Sequence, residues 1–469
     1  MKRTFILTLI VVAVLGAMYY LSPLTVFGVQ LRKVDILSDV RSNSDAEQKE
    51  AEQAQQYEDS IRLERLKVVA KTDSVPEGMI PIEDFRDSMM IDREMDSFYE
   101  ALGNTKKRVV RIAYFGDSFI EGDIFTANLR DYLQTQYGGC GVGFIDIHSQ
   151  VAGFRTTVIE NSSGWQDYSV IDRGKGFNSA LQGINSRYYI PNSGARINVR
   201  GQQRVFPEHL DSVDQVTLFY TPDMNTNIVA SINGKETKCV ASHGQNKPDS
   251  LSDSVQNISL GLKSDVYKGK IGSFTADVSG GGRFYGLALE GTKGVVVDNF
   301  SMRGSVGWHL STIPVETLTD FAKLRHYDLI IMHYGLNMST PTRQGYYAYC
   351  DKFKKGIHNF RKAYPKTSIL IVSVSNRDKR GANGQFETMK GVTELVAAQR
   401  QMAQEEHVAF WNLQQAMGGS GSTAKMQREG LANLDYTHIN FKGGAVLGKL
   451  LFDALENGKM NYQRRLKCR

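Results

Sequence analysis

Cysteine is scarce in this chain. Its 469 residues contain four, Cys140, Cys239, Cys350 and Cys468, and none stands in a CxxC pair or at metal-ligand spacing from a histidine. That scatter argues against a zinc site and against a disulfide-built scaffold, although one bridge stays open, and no metal ligands are assigned. Cys140, in a Gly-rich loop, reads as a small buried residue rather than a reactive thiol. Blocks of like charge are missing as well. The formal net charge is +6 and 23% of residues are charged, with both signs interspersed, which excludes a nucleic-acid arm and an acidic tail. Sustained apolar heptads are absent from the Glu-, Gln-, Ala- and Arg-rich stretch 44–67, so it reads as a solvated helical spacer rather than a coiled coil. No cofactor-binding pattern is found.

What is present begins with one long apolar run. Met1-Lys2-Arg3 precedes the uncharged residues 5–29, longer than the apolar core of most signal peptides and long enough to cross a bilayer. The basic start points to a signal-anchor, with everything after residue 30 on the outer side of the membrane. Cleavage is the alternative, for which Gly16-Ala17 is a poor site. No cysteine lies nearby for lipid attachment. Beyond the spacer, Pro76 and Pro81 interrupt the pattern, and apolar residues from Ile82 to Leu102 predict an amphipathic helix that packs on the folded body.

The length implies two folded domains plus appendages. The apolar run 109–115 has the composition of a buried parallel strand and stops at Gly116-Asp117-Ser118. Leu129, Leu133 and Tyr137 then mark a helix ended by Gly138-Gly139. Between about 155 and 290 the pattern changes to short alternating runs at 195–199, 216–220, 228–232 and 284–289, with Asn233-Gly234 as a hairpin signal. This predicts an all-β insertion, sandwich-like, whose aromatics, Trp165 among them, are either core residues or sugar-stacking ones. Buried strands alternating with helices resume at 295–297, 329–332, 369–374 and 408–411. Five parallel strands with helices on both faces make a flavodoxin-like three-layer α/β/α fold. The expected organisation is a membrane anchor over 1–30, a helical spacer and packing helix over 31–105, the α/β domain in two parts, 106–154 and 291–469, and the β-rich insertion at 155–290.

Four short blocks carry the chemistry. Gly116-Asp117-Ser118 places a serine just past a strand, where open α/β sheets bind ligands. Gly304 and Asn337, the latter in His333-Tyr334-Gly335-Leu336-Asn337, follow the second and third strands. Near the end, Asp435-Tyr436-Thr437-His438 sets a carboxylate three residues from an imidazole, ahead of Gly443-Gly444. Glu121, Asp123, Arg303 and His333 flank these blocks as pocket-lining, supporting or surface residues, whereas Asp378 and His407 have no motif context.

In this order, Gly-Asp-Ser, Gly, Gly-x-Asn, Asp-x-x-His, the blocks resemble the SGNH (GDSL-type) hydrolases, over roughly 106–150 and 290–460. The longer string Gly116 to Asp123, with the Gly-rich loop 138–143, is similar to bacterial envelope members: peptidoglycan O-acetylesterases and SGNH proteins associated with membrane-bound O-acyltransferases. Two departures stand out: Phe119 where Leu is usual after the serine, and Met338 where many relatives have Asp. The resemblance implies Ser118 as nucleophile, His438 as base and Asp435 as its orienting acid. The N–H groups of Ser118 and Gly304 and the Asn337 amide would form the oxyanion hole, with no cofactor. It further implies an esterase acting on an O-acylated extracytoplasmic polysaccharide, with peptidoglycan the first candidate and a membrane-bound O-acyltransferase as a candidate partner, in the periplasm and anchored to the inner membrane. Two alternatives stay open: O-acetyl transfer through the same acyl-enzyme, and a non-catalytic glycan-binding protein with this fold.

Overall fold

Alternation along the first strand dictates the architecture. In Val109–Gly116, the side chains of Val110, Ile112 and Tyr114 enter one apolar core and those of Ala113 and Phe115 another, as a strand buried on both faces requires. A computed structural model of the chain describes residues 74–86, 92–172, 174, 176–241, 261–342, 345–381 and 384–468, together with Thr25–Val26 and Val29–Gln30. The sheet built on that strand has six members, in the order Gly294–Ser301, Val109–Gly116, Leu329–His333, Ser368–Val372, Ala409–Trp411 and Ile82–Asp84. The first five are parallel. Numbered along the chain, those five run 2-1-3-4-5, the flavodoxin-like order. Helices Asp96–Leu102, Thr126–Tyr137 and Phe441–Lys467 cover one face. Val315–Leu324, Tyr347–Ala363 and Lys390–Glu405 cover the other.

The amphipathic pattern from Ile82 to Leu102 does not make one helix. Ile82–Asp84 instead pairs antiparallel with Ala409–Trp411, because the sheet edge has unpaired backbone groups to satisfy. The Asp84 carboxylate then accepts the N–H groups of Arg86 and Met95. Among the described residues of this stretch the helix is Asp96–Leu102, which buries Phe98, Tyr99 and Leu102. The apolar segment 5–29 and the spacer 44–67 lie outside the described residues, except for the strands Thr25–Val26 and Val29–Gln30, which pair antiparallel. Among the described residues no helix is long and apolar enough to cross a membrane.

Among the described residues, eight strands of the β-rich stretch and the short strand Gly143–Ile145 form one nine-stranded antiparallel sheet. Asn233 and Gly234, at φ 51° and 77°, turn the expected hairpin, with Ile232 opposite Lys235. Arg187–Arg200 meets Arg283–Glu290 through one pair, Tyr189 with Phe284, and Ile197, Val199, Ile228, Phe274, Val216, Leu218 and Leu287 of the two groups of strands share a core. The opposite side chains, Phe144, Phe219, Tyr285 and Ala288, join the α/β core instead. Trp165 stacks edge-on against Phe284 at 5.1 Å and donates to Arg196 O, at the margin of the β core.

A buried charge cluster reinforces that junction. Arg325 donates to Asp298 at 2.6 and 2.8 Å and lies 3.1 Å from Glu290, which also receives Arg111 at 2.7 and 2.9 Å. Burial raises the Glu290 carboxyl, but Arg325 and Arg111 outweigh it and hold it down at about 2. Removing one member of such a cluster strands the others in low dielectric. Arg325→Leu is therefore expected to cost about 3–5 kcal/mol, read as a lower urea midpoint in equilibrium unfolding.

Candidate active site

Register puts three of the four sequence blocks on one rim. Gly116 is level with Ser301 on one side and with His333 on the other, so the turns after these three strands emerge together at their carboxyl ends, where ligands bind in such sheets. Ser118 opens a short 3-10 segment, Ser118–Asp123. Gly304 sits in a turn at φ 75°, and Asn337 follows Leu329–His333 in a turn closed by Met338 N–H to Gly335 O.

The fourth block is brought in by the last helix. Asn440 caps that helix by accepting the Gly443 N–H at 3.1 Å. A side chain at Gly443 would lie 2.1 Å from Leu431 O, and one at Gly444 1.8 Å from Ile124 O, so the glycine pair lets the helix start press against the segment that follows the serine. The bridge between Ala432 and Ile439 and the Asn433 N–H bond to His438 O fix the loop between them.

The outcome is a hydrogen-bonded chain. Ser118 Oγ lies 3.0 Å from His438 Nε2, and His438 Nδ1 lies 2.7 Å from Asp435 Oδ2. Asp435 Oδ1 also accepts the N–H groups of Thr437 and His438, both at 3.0 Å. Burial raises the Asp435 carboxyl, but these bonds and the imidazole outweigh it and leave it below the ordinary carboxylate range. An ionised carboxylate only accepts, so the Nδ1 proton faces Asp435 and Nε2 is left to accept the serine proton.

Asn337 Nδ2 donates to Ser305 O at 2.9 Å, tying its turn to that of Gly304. An amide nitrogen has two donors. Among the described residues its second N–H and the backbone N–H groups of Ser118 and Gly304 meet no acceptor. Asn337→Ala is expected to lower kcat on an acetyl ester about a hundredfold or more with little change in KM, measured by steady-state kinetics.

Asp117 carries no role in the sequence reading, where it is the middle of an ordinary turn tripeptide. It is buried and accepts the N–H groups of Phe119 at 3.0 Å and Leu336 at 3.3 Å, joining the serine turn to the Asn337 turn. Burial pushes its carboxyl up to about 6 against those bonds. His333 is a core residue: buried, 3.2 Å from Tyr114 Oη, with burial pushing its imidazole down to about 3. Asp123 is buried and structural, as argued below. Asp378 accepts from Asn376, Thr388 and the Ala424 N–H, and His407 Nδ1 lies 3.1 Å from Phe85 O. Burial pushes the Cys140 thiol up to about 11 and that of Cys350 to about 12, so neither competes as a nucleophile.

Glu121 and Arg303 form a two-point ion pair between the serine turn and the Gly304 turn. With Gly122 they line a cavity of about 270 Å³, which Asp146 and, from the β-rich stretch, Asn185 and Arg187 line as well. The cavity adjoins the serine turn without including Ser118 or His438.

Neither a protein-family model nor a curated protein matches the sequence. Solved structures do match. A peptidoglycan O-acetylesterase aligns with a TM-score of 0.64 at 21% identity, over 81% of this chain and 99% of that one. The chain has that esterase's fold. Matches also include a family two carbohydrate esterase from Cellvibrio japonicus, with TM-score 0.26 and 10% identity over 65% of this chain and 99% of that one. A putative GDSL-like lipase from Parabacteroides merdae has TM-score 0.25 and 14% identity over 34% and 73%. Both are too distant to carry an argument.

Proposed function

We propose that the chain is a serine esterase that removes O-acetyl groups from an extracytoplasmic polysaccharide, with peptidoglycan the first candidate. The observation that carries this reading is the hydrogen-bonded chain Asp435–His438–Ser118 at the carboxyl rim of the sheet. In this mechanism Ser118 Oγ attacks the acetyl carbonyl while His438 Nε2 takes its proton. Asp435 holds the ring and stabilises the imidazolium. The N–H groups of Ser118 and Gly304 and the Asn337 amide receive the oxyanion. The imidazolium returns the proton to the departing sugar hydroxyl, leaving an acetyl ester on Ser118. Water, deprotonated by the same imidazole, then releases acetate and regenerates the serine. A binding protein has no use for an imidazole aligned on a serine hydroxyl, which weighs against the non-catalytic alternative.

The test is acetate release from O-acetylated peptidoglycan by the purified chain, with de-O-acetylated glycan as the blank. Acetate above the blank is the expected result. Transfer of the acetyl group to an added saccharide in place of free acetate would instead favour the transferase, and release from neither would refute the substrate.

The same reading takes residues 5–29 as an inner-membrane anchor that holds the catalytic part in the periplasm. It takes 155–290 as an inserted sandwich-like module that engages the polymer, and a membrane-bound O-acyltransferase as a partner that acetylates the same glycan. Protease added to spheroplasts is expected to digest the catalytic part while the chain stays membrane-bound at high salt. Recovery in the soluble periplasm with a new N-terminus beyond the apolar run would mean cleavage.

A further inference from the structure

Phe154 leaves 44% of its surface exposed and plays no part in the chemistry above. Its ring lies on Gly122, four residues after Ser118: a Cβ there would meet Phe154 Cδ1 at 2.4 Å and Cε1 at 2.5 Å. Phe441, three residues after His438, packs beside it with ring centroids 5.4 Å apart and planes inclined by 40°. One exposed aromatic therefore touches both the turn that carries the serine and the helix start that follows the histidine.

The ring is held in advance. The N–H groups of Phe154 and Arg155 both donate to Val151 O at 2.8 Å, closing a turn. Arg155 Nε and Nη2 grip Asp123 Oδ2 at 3.0 and 2.9 Å. Asp123, fully buried at φ 66°, also receives Thr126, Arg130, Thr157 and Asn299. Burial raises its carboxyl, but Arg130 and Arg155 outweigh it and hold it far below the ordinary range, so the ion pair that fixes Arg155 stays charged. Asn299 Nδ2 donates in addition to Ile120 O at 2.8 Å, which ties this clamp to the serine turn. A ring immobilised before binding loses little entropy when a ligand stacks on it. Gly122, under the ring, and Val151, whose carbonyl holds its turn, also line the polar cavity with Glu121, Arg303, Asn185 and Arg187. A flat apolar face beside a wall of hydrogen-bonding groups matches a pyranose, which has an apolar CH face and a rim of hydroxyls.

We propose that Phe154, backed by Phe441, is the platform on which the pyranose ring carrying the scissile ester stacks, its hydroxyls turned toward the cavity. This rests on the reading of the site as a glycan esterase, and makes Phe154 a residue that determines specificity.

The full chain, wild type, Phe154→Ala and Phe154→Trp, is assayed on 4-nitrophenyl acetate and on O-acetylated peptidoglycan. For Phe154→Ala the ratio of kcat/KM on glycan to kcat/KM on the small ester is expected to fall about tenfold or more, mostly through KM, consistent with loss of one aromatic contact. Phe154→Trp, which keeps a flat face, is expected to restore most of it. An unchanged ratio, or equal losses on both substrates, would overturn the platform and leave Phe154 a packing residue. Wild-type activity on the small ester with none on the glycan would refute the substrate reading itself, and the platform with it.

Discussion

Ser118→Ala is expected to lower kcat on a simple acetyl ester by about 10⁴-fold or more while the chain still folds. The Ser118 hydroxyl has one bond among the described residues, that to His438, so no buried polar group loses its partner when it is removed. The oxyanion donors and the bound geometry survive in the variant, so a residual rate above that of water is expected. Thermal unfolding within a degree or two of wild type would separate lost chemistry from lost structure.

His438→Ala is expected to fall nearly as far, and the double variant with Ser118→Ala no further than either single one, because the two groups act as a unit. Asp435 is held below the ordinary carboxylate range by the N–H groups and imidazole facing it, so it stays ionised, and able to orient the ring, as the solution is made mildly acidic.

Much of the site is legible in the sequence because each block directly follows an element whose periodicity is strong. The apolar runs ending at Gly116 and at His333 name their strands, and a parallel sheet then levels their ends. His438 and Asp435 are readable as a pair because they stand three positions apart in one loop. Asp117 is not readable in that way. Its bond to Leu336 crosses 219 residues, and in sequence a Gly-Asp-Ser carboxylate is indistinguishable from a turn-former. Phe154 on Gly122 is the same kind of omission, a contact that only the folded chain creates. Ile82–Asp84 misleads for the opposite reason: three apolar and acidic residues fit either period, and the vacant sheet edge beside Ala409–Trp411 decides. The shared core of the β-rich stretch is likewise invisible in sequence, since alternation shows that Phe219 and Leu218 face opposite ways but not what each faces.

Covalent trapping tests the central claim, that His438 activates Ser118 as the nucleophile. The chain is incubated with a fluorophosphonate and mapped by peptide mass spectrometry. The predicted result is one stoichiometric adduct on the peptide containing Ser118, absent in Ser118→Ala and much slower to form in His438→Ala. Labelling at any other residue that accounts for the loss of esterase activity, or labelling unchanged in His438→Ala, would contradict it.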